Sequence, residues 1–172
     1  RTCSLTLQHV NEEDVAKIIK AIKPTTATDV DYIDNCTIKL VATEITPAIT
    51  KIINLSIATS TFPSIYKVSK VTPLLKKSSL DPILPSSYRP VNQLVGLSKI
   101  LERCVFGQLV KYLEDNSLLH PNQHGGRSGH STATTLIQMH NQWMEDLEDG
   151  KIVALTLVDQ SAAFDVCNHR II

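Results

Sequence analysis

A chain of 172 residues is long enough for one globular domain or for a large part of a bigger protein. Its hydrophobic share of 42% and its charged share of 20% are ordinary for a globular protein. No apolar run approaches the ~18 residues of a membrane span, and the first residues lack the apolar core of a secretory signal. The four cysteines are widely separated, which indicates neither a zinc site nor a compact disulfide framework, so we expect a reduced, intracellular setting.

The charged residues are unevenly distributed, although the net charge is zero. Residues 67–111 carry eight basic and two acidic side chains, whereas residues 112–172 carry three basic and eight acidic ones. A basic middle beside an acidic end is compatible with a phosphate-binding surface next to a metal-binding one. Two solvated faces that neutralise each other explain the same pattern, and this alternative stays open.

The first third of the chain is predicted to be helical. Asn11 is a good N-cap, the three acidic residues after it suit the positive end of a helix, and apolar residues then recur at helical spacing as far as Lys23. A polar loop covers residues 24–34, and a less regular helical pattern follows it. Pro47 is expected in the first turn of a further helix, which ends at Thr61-Phe62-Pro63.

The middle of the chain is predicted to form a β-hairpin. Residues 67–77 mix β-branched side chains with lysines, and Pro73 among them argues for an edge strand. After a loop over residues 78–87, a second strand starts at Tyr88. The two arms together carry most of the basic residues of this region, so the hairpin is expected to be basic.

Two longer helices are predicted after the hairpin. Residues 97–113 show an apolar period near 3.6 over about five turns. A loop of residues 116–130 separates this helix from another one, which is capped by Ser131 or Thr132 and ended by Gly150.

An apolar run, residues 151–158, is predicted to be a buried strand, and it stops on Asp159. A strand that delivers a carboxylate at its carboxyl end is a common way to hold a metal ligand at a cleft. The alternative is an ordinary core strand whose Asp caps the next helix, which we expect to start at Val166.

Four stretches, in this order, resemble the motifs of reverse transcriptases from non-LTR (LINE-like) retrotransposons of the jockey or CR1 type. They cover residues 62–169, and the helical residues before them fit the same family more loosely. The order and spacing carry the resemblance, since each motif alone is a moderate signal. The motifs are Phe62-Pro63-x-x-Tyr66-Lys67 with Pro73-Leu-Leu-Lys76-Lys77; Ser87-Tyr88-Arg89-Pro90-Val91 with the helix to Arg103; Leu118-Leu-x-Pro121-x-Gln123-x-Gly125-x-Arg127-x-Gly129-His130-Ser131-Thr132; and Asp159-x-Ser161-x-Ala163-Phe164-Asp165-x-x-x-His169.

The resemblance implies an α+β fold, the helix-rich fingers and partial palm of a right-hand polymerase with a truncated palm sheet. Residues 1–66 would be a helical region before the fingers, and residues 67–150 the fingers with the basic hairpin and two long helices. Residues 151–172 would be the first palm strand and the start of the following helix. The chain is therefore expected to be the amino-terminal part of such an enzyme.

The family's chemistry is RNA-directed DNA synthesis from dNTPs by two-metal nucleotidyl transfer, with Mg²⁺ or Mn²⁺ held by carboxylates. By resemblance, Asp159 is the catalytic metal ligand, and the carbonyl of Gln160 adds an oxygen ligand. Arg89 is expected to contact the triphosphate, because a guanidinium suits phosphate oxygens. Lys76 or Lys77 is a second candidate for that role, and a solvated hairpin face is the alternative for both lysines.

Further contacts follow from the same resemblance. Backbone amides at Ala162 and Ala163 are expected near the triphosphate, and Phe164 beneath the incoming sugar, with a core position as the alternative for Phe164. The glycine-rich loop of residues 125–132 would face the template backbone, although its glycines could serve turn geometry alone. The residues expected to contact nucleic acid are Arg127, Gly129 and Lys70.

The implied partners are an RNA template and a DNA primer, in the nucleus and cytoplasm and without a membrane. The rest of the palm, the thumb and an endonuclease domain would lie outside this chain.

The sequence departs from the family at Gly126, where a Phe is usual, and at Ala162, where a Lys is usual, and it contains no adjacent Asp pair. We therefore expect the chain alone to be inactive. The alternative is a non-catalytic nucleic-acid-binding remnant that uses the basic surface of residues 67–111.

Overall fold

The computed structural model describes residues 4–26, 30–159, 167–168 and 171. The chain divides into two compact units, unit 1 (Arg1–Leu118) and unit 2 (Leu119–Ile172). None of the described helices is long and apolar enough to cross a membrane. Short 3₁₀ turns at Ser64–Lys67 and Pro85–Ser87 precede the two strands. The helices and strands are α1 (Glu12–Ala21), α2 (Asn35–Leu40), α3 (Ala42–Thr59), β1 (Ser69–Leu75), β2 (Tyr88–Leu94) and α4 (Gly96–Asp115) in unit 1, and α5 (Thr132–Glu148) in unit 2.

Helix α1 begins as the sequence predicts and supplies the centre of the core of unit 1. The Asn11 side chain accepts a hydrogen bond from the Asp14 amide at 2.8 Å and so caps the first turn. Val15 and Ile19 lie one turn apart and are completely buried. They share one apolar cluster with Ile53 of α3 and with side chains of α4.

Two side-chain amides hold the extended segment that precedes α1. Asn54 of α3 accepts a hydrogen bond from the Val10 amide at 2.8 Å and donates one to the Val10 carbonyl at 2.9 Å. Gln108 of α4 makes the same pair of bonds with the main chain of Gln8, at 2.7 and 2.9 Å. Each amide therefore satisfies two backbone groups, as a neighbouring strand would. The bonds of Asn54 are partly buried, whereas those of Gln108 are exposed.

Pro47 does not lie in the first turn of a helix, and that prediction was wrong. Helix α3 already starts at Ala42, so Pro47 is inside it and cannot donate a hydrogen bond to the carbonyl of Thr43. Nearby hydroxyls bond to the backbone of this turn: Thr46 donates to the Ala42 carbonyl at 2.6 Å, and Thr50 donates to the Thr46 carbonyl at 2.8 Å. Burial of the apolar face of α3 in the core favours a continuous helix in spite of the missing bond.

The predicted hairpin is confirmed, and its register explains how it tolerates two prolines. Strands β1 and β2 pair antiparallel, with Pro73 opposite Pro90. The Lys76 amide donates to the Ser87 carbonyl at 2.9 Å, which extends the same register by one residue. Hydrogen-bonded and non-bonded pairs alternate along such a ladder, so the two prolines occupy a non-bonded pair. Two residues without an N–H therefore cost the sheet no hydrogen bond.

Helix α5 starts at the predicted cap but buries none of its apolar stripe. The Ser131 side chain accepts from the Thr134 amide at 3.2 Å, and the Thr134 hydroxyl accepts from the Ser131 amide at 2.8 Å, which forms a capping box. Gly150, with a φ of +74°, follows its carboxyl end. Leu136 and Leu147 of the stripe are 63% and 54% exposed. Most of the stripe is thus exposed, whereas Trp143 is half-buried.

The strand predicted before Asp159 is not formed, and that prediction was wrong. Residues 151–159 adopt neither helix nor strand, and β1 and β2 make the only sheet among the described residues. A strand requires a neighbour to bond its N–H and C=O groups, and no described segment pairs with this one. Leu155 and Leu157 are 52% and 83% exposed, as expected for an uncovered apolar run. The helix expected from Val166 is not seen where the structure describes this segment, since Cys167, Asn168 and Ile171 are not helical.

Candidate nucleic-acid interface

The hairpin places two of the predicted site residues on one face. Arg89 lies opposite Leu74, and Lys70 lies opposite Gln93, and residues that stand opposite each other share a face. Because strand side chains alternate, Lys70 and Leu74 are on the same face, and so therefore are Lys70 and Arg89. Four strand positions separate the two cations, which corresponds to roughly 13 Å. Both side chains are exposed.

Lys76 joins this face at the end of the hairpin. Its backbone bond to Ser87 continues the ladder, so it lies two positions, or roughly 7 Å, from Arg89. Its ammonium group donates to the Ser86 carbonyl at 2.8 Å. Lys77 follows in the connection, beyond the ladder, and is exposed. The structure therefore groups Lys76 with Arg89, and we call Lys70, Lys76 and Arg89 the basic face.

The motif residues before Arg89 fix the connection between the two strands. The Tyr88 hydroxyl donates to the Pro82 carbonyl at 2.9 Å, and the Ser87 amide donates to the Leu84 carbonyl at 3.0 Å. Ser87 is buried. These bonds hold the start of β2, and they give Arg89 an ordered backbone from which to reach solvent.

The basic face is not neutralised by any acidic side chain that the structure describes. The ion pairs in the described ranges join Lys17 to Asp14, and Lys151 to Asp146 and Asp149. All of them lie outside the hairpin. Exposed cations that lack a carboxylate partner are available to phosphate oxygens, with which they make charge-assisted hydrogen bonds.

Two glycines of the loop in unit 2 serve turn geometry. Gly126 and Gly129 have φ values of +71° and +72°, which side chains other than glycine rarely adopt. A Cβ at either position would have no described atom within 4 Å, so close packing is not the reason for glycine there. A Phe at Gly126, as is usual in the resembling family, would be strained in this backbone. Arg127 lies between the two turns and is half-buried.

Sequence reasoning missed a side-chain network beside this loop. The His124 ring contacts the Thr134 hydroxyl through Nδ1 at 2.9 Å and Gln138 Oε1 through Nε2 at 2.8 Å. Gln138 Nε2 donates to Asn122 Oδ1 at 3.0 Å. The ring of His130 packs edge-on against His124, with centroids 5.0 Å apart. The available signal was the four-residue spacing of Thr134 and Gln138, which puts both on one side of α5.

Asp159 is exposed in a segment without regular structure. In the described ranges, no group of three or more His, Cys, Asp or Glu side chains could hold a metal ion. A two-metal site requires several carboxylates, so the described donors do not fit such a site. The remaining residues predicted from this motif, Gln160, Ala162, Ala163 and Phe164, lie outside the described residues.

The shifted pKa values have local structural causes. Hydrogen bonds from the backbone and side chain of Thr37 lower the pKa of Asp34, which caps α2. Burial raises the pKa of the Cys104 thiol to about 11. A hydrogen bond to Asp149 and a second one to a neighbouring carboxylate raise the pKa of Lys151.

Comparison with known proteins shows that the chain is similar in sequence to one class of enzyme. Over 91–96% of its length it is homologous to RNA-directed DNA polymerases of Drosophila mobile elements, which confirms the resemblance seen in its motifs.

Three of these relatives show the extent of the match. The chain is 25% identical over 166 residues to the probable RNA-directed DNA polymerase from transposon BS of Drosophila melanogaster. It is 28% identical over 160 residues to the RNA-directed DNA polymerase from mobile element jockey of Drosophila funebris, and 28% identical over 166 residues to that of Drosophila melanogaster. It spans 17–18% of the length of these relatives. No family model and no solved structure matches the chain.

Proposed function

We propose that this chain is the part of a non-LTR retrotransposon reverse transcriptase that carries a phosphate-binding hairpin and one metal-binding carboxylate. The observation that carries the proposal is its similarity to four RNA-directed DNA polymerases along 91–96% of its length. The basic face supports it physically, because its cations are exposed and have no acidic partner among the described residues. RNA template and DNA primer are the proposed partners.

The spacing on the basic face suits two kinds of phosphate contact. Arg89 and Lys76, roughly 7 Å apart along the ladder, are close enough to bind one triphosphate. Lys70, roughly 13 Å from Arg89, would instead bind the backbone of template or primer. In unit 2, Arg127 would contact the template backbone from the turn that ends at Gly129.

The catalytic part of the proposal concerns Asp159. This carboxylate, with the Gln160 carbonyl, would supply ligands to a Mg²⁺ or Mn²⁺ site, and Phe164 would lie under the sugar of the incoming dNTP. The 172 residues contain no adjacent Asp pair, so the other carboxylates would have to come from elsewhere in the polymerase. We therefore expect the purified chain to incorporate no dNTP in a primer-extension assay with either metal.

Binding of a labelled RNA–DNA hybrid, measured by fluorescence anisotropy at several salt concentrations, tests the role of the basic face. The logarithm of the association constant falls as the logarithm of the salt concentration rises, and Arg89→Gln should make this slope less steep by about 0.7–0.9. That change corresponds to the loss of one phosphate contact. Lys51→Gln is the control, because Lys51 is an exposed cation on α3 that lies outside the hairpin and outside residues 67–111. Equal losses from both variants, or binding that does not depend on salt, would contradict the proposal.

One observation favours a second candidate function. The described residues offer cations for phosphate but no cluster of metal ligands. A non-catalytic remnant that holds nucleic acid through the basic face would have these properties. Such a protein would bind the hybrid and show the same loss with Arg89→Gln, but it would not support DNA synthesis when the rest of a polymerase is supplied.

A further inference from the structure

A cavity of about 290 Å³ opens beside α5 in unit 2. Its lining combines an aromatic side chain, a thioether and several amides, and it contains no Asp, Glu, Lys or Arg among the described residues. Asn122 and His124 of its lining occupy variable positions of the third motif, and none of its lining residues belongs to the basic face. The lining residues that matter here are Asn122, His124, Gln138, Met139, Gln142 and Trp143.

Two stripes of α5 give the cavity different chemistry. Met139 and Trp143 lie one helical turn apart and are both half-buried, so together they offer an apolar wall on which a flat ring can stack. Gln138 and Gln142 are also one turn apart and offer amide donors and acceptors. A planar heteroaromatic ring with a polar edge matches both features at once.

The polar side of the cavity is partly held in place. His124 Nε2 contacts Gln138 Oε1 at 2.8 Å, and Gln138 Nε2 donates to Asn122 Oδ1 at 3.0 Å, so both bonds restrain the same amide. Neither Asn122 Nδ2 nor the Gln142 amide has a hydrogen-bond partner among the described residues. These groups remain available to a ligand.

We propose that this cavity binds an unpaired nucleobase of a single-stranded nucleic acid. Its volume is close to the ~300 Å³ lower end of small-molecule sites, which suits one ring system. The uncharged lining favours a base over a phosphate, and aromatic stacking accepts any base because each has a π-face. Amide side chains complement the donors and acceptors on base edges. The inference rests on the proposed function only for the source of the base, a nucleic acid.

Trp143 is the only tryptophan in the sequence, so its fluorescence reports on the cavity directly. The purified chain is titrated with adenosine monophosphate and, separately, with ribose phosphate, two probes that differ only by the base. Saturable quenching by the first and none by the second is the expected result. Equal responses to both probes, or no response to either, would overturn the inference.

A pair of neighbouring variants separates the cavity from the general surface of α5. Gln142→Ala should weaken the binding of adenosine monophosphate roughly fivefold, the effect of one lost hydrogen bond. Asn141→Ala should leave it unchanged, because Asn141 is equally exposed but does not line the cavity. Circular dichroism confirms that both variants are folded, and equal effects of the two substitutions would refute the assignment.

A single-stranded oligoribonucleotide and an abasic oligomer of the same length separate this inference from the proposed function. Tighter binding of the first, with quenching of Trp143, is expected. If both oligomers bind equally and Trp143 is not quenched, the cavity assignment is wrong while the proposed function stands. If neither oligomer binds although adenosine monophosphate quenches Trp143, the cavity accepts a free base but not a base in a single strand, and the inference is overturned.

Discussion

Asn54→Asp replaces the side-chain nitrogen of Asn54 with an oxygen. This nitrogen is the donor in one of the two hydrogen bonds that attach the segment before α1 to α3. The Val10 amide keeps an acceptor at its 2.8 Å contact, but the Val10 carbonyl loses its donor and faces a carboxylate oxygen near the former 2.9 Å position. One hydrogen bond is lost, and a partly buried carbonyl is left unsatisfied. We expect the free energy of unfolding to fall by about 1–3 kcal/mol.

The pH dependence of the stability of Asn54→Asp provides a second test of the same hydrogen bond. When the introduced carboxyl is protonated in acid, its O–H can donate to the Val10 carbonyl again. The loss of stability relative to the original chain should therefore shrink as the pH falls through the pKa of that carboxyl. No such recovery is expected for a substitution that merely disturbs packing.

Thermal or urea unfolding followed by circular dichroism measures this effect, with Gln108→Glu as the matched control. The control makes the same amide-to-carboxylate change at an exposed pair, where water replaces the lost donor, so we expect a smaller loss. Equal losses at both positions would refute the argument from burial. An unchanged stability of Asn54→Asp would refute the structural role of the amide itself.

Two further predictions follow from the shifted pKa values. Cys104 is buried and its pKa is about 11, so we expect it to react with a thiol reagent only after unfolding. Exposed Cys167 should react at once and serves as the control. Rapid modification of Cys104 in the folded chain would contradict its buried position. The pKa of Asp34 is lowered from 3.8, so its stabilising cap is present above that value and is lost as the pH falls through the folded pKa. The chain should therefore exceed Asp34→Ala in stability at neutral pH and match it in acid, as measured by urea unfolding, and a difference independent of pH would contradict the capping role.

Local patterns predicted much of unit 1. The cap at Asn11 and the period of Val15 and Ile19 are contained in a few consecutive residues, and the structure confirms the helix they predict. The hairpin was also predictable, since the alternation of its strands and the position of Pro73 indicate an edge. Its register, which brings Arg89 near Lys76, depends on pairing across the connection and is visible only in the structure.

The failures have a common physical cause, which is that contacts between residues distant in sequence, rather than the local pattern, decide the outcome. The apolar run before Asp159 has the composition of a strand, but no described segment pairs with it. Pro47 is a poor residue for a helix interior, yet burial of the opposite face continues α3 through it. The contact of His124 with Gln138 joins a loop to a helix across 14 positions, so the helical spacing of Thr134 and Gln138 indicates only one side of it.

We propose above that these residues work as part of an RNA-directed DNA polymerase. Replacing the matching segment of the jockey polymerase with this chain, and measuring primer extension on an RNA template, tests it most directly. We expect dNTP incorporation that is abolished by Asp159→Asn and reduced by Arg89→Gln. Incorporation that survives Asp159→Asn, or a folded chimaera that binds the RNA–DNA hybrid without extending the primer, would contradict it.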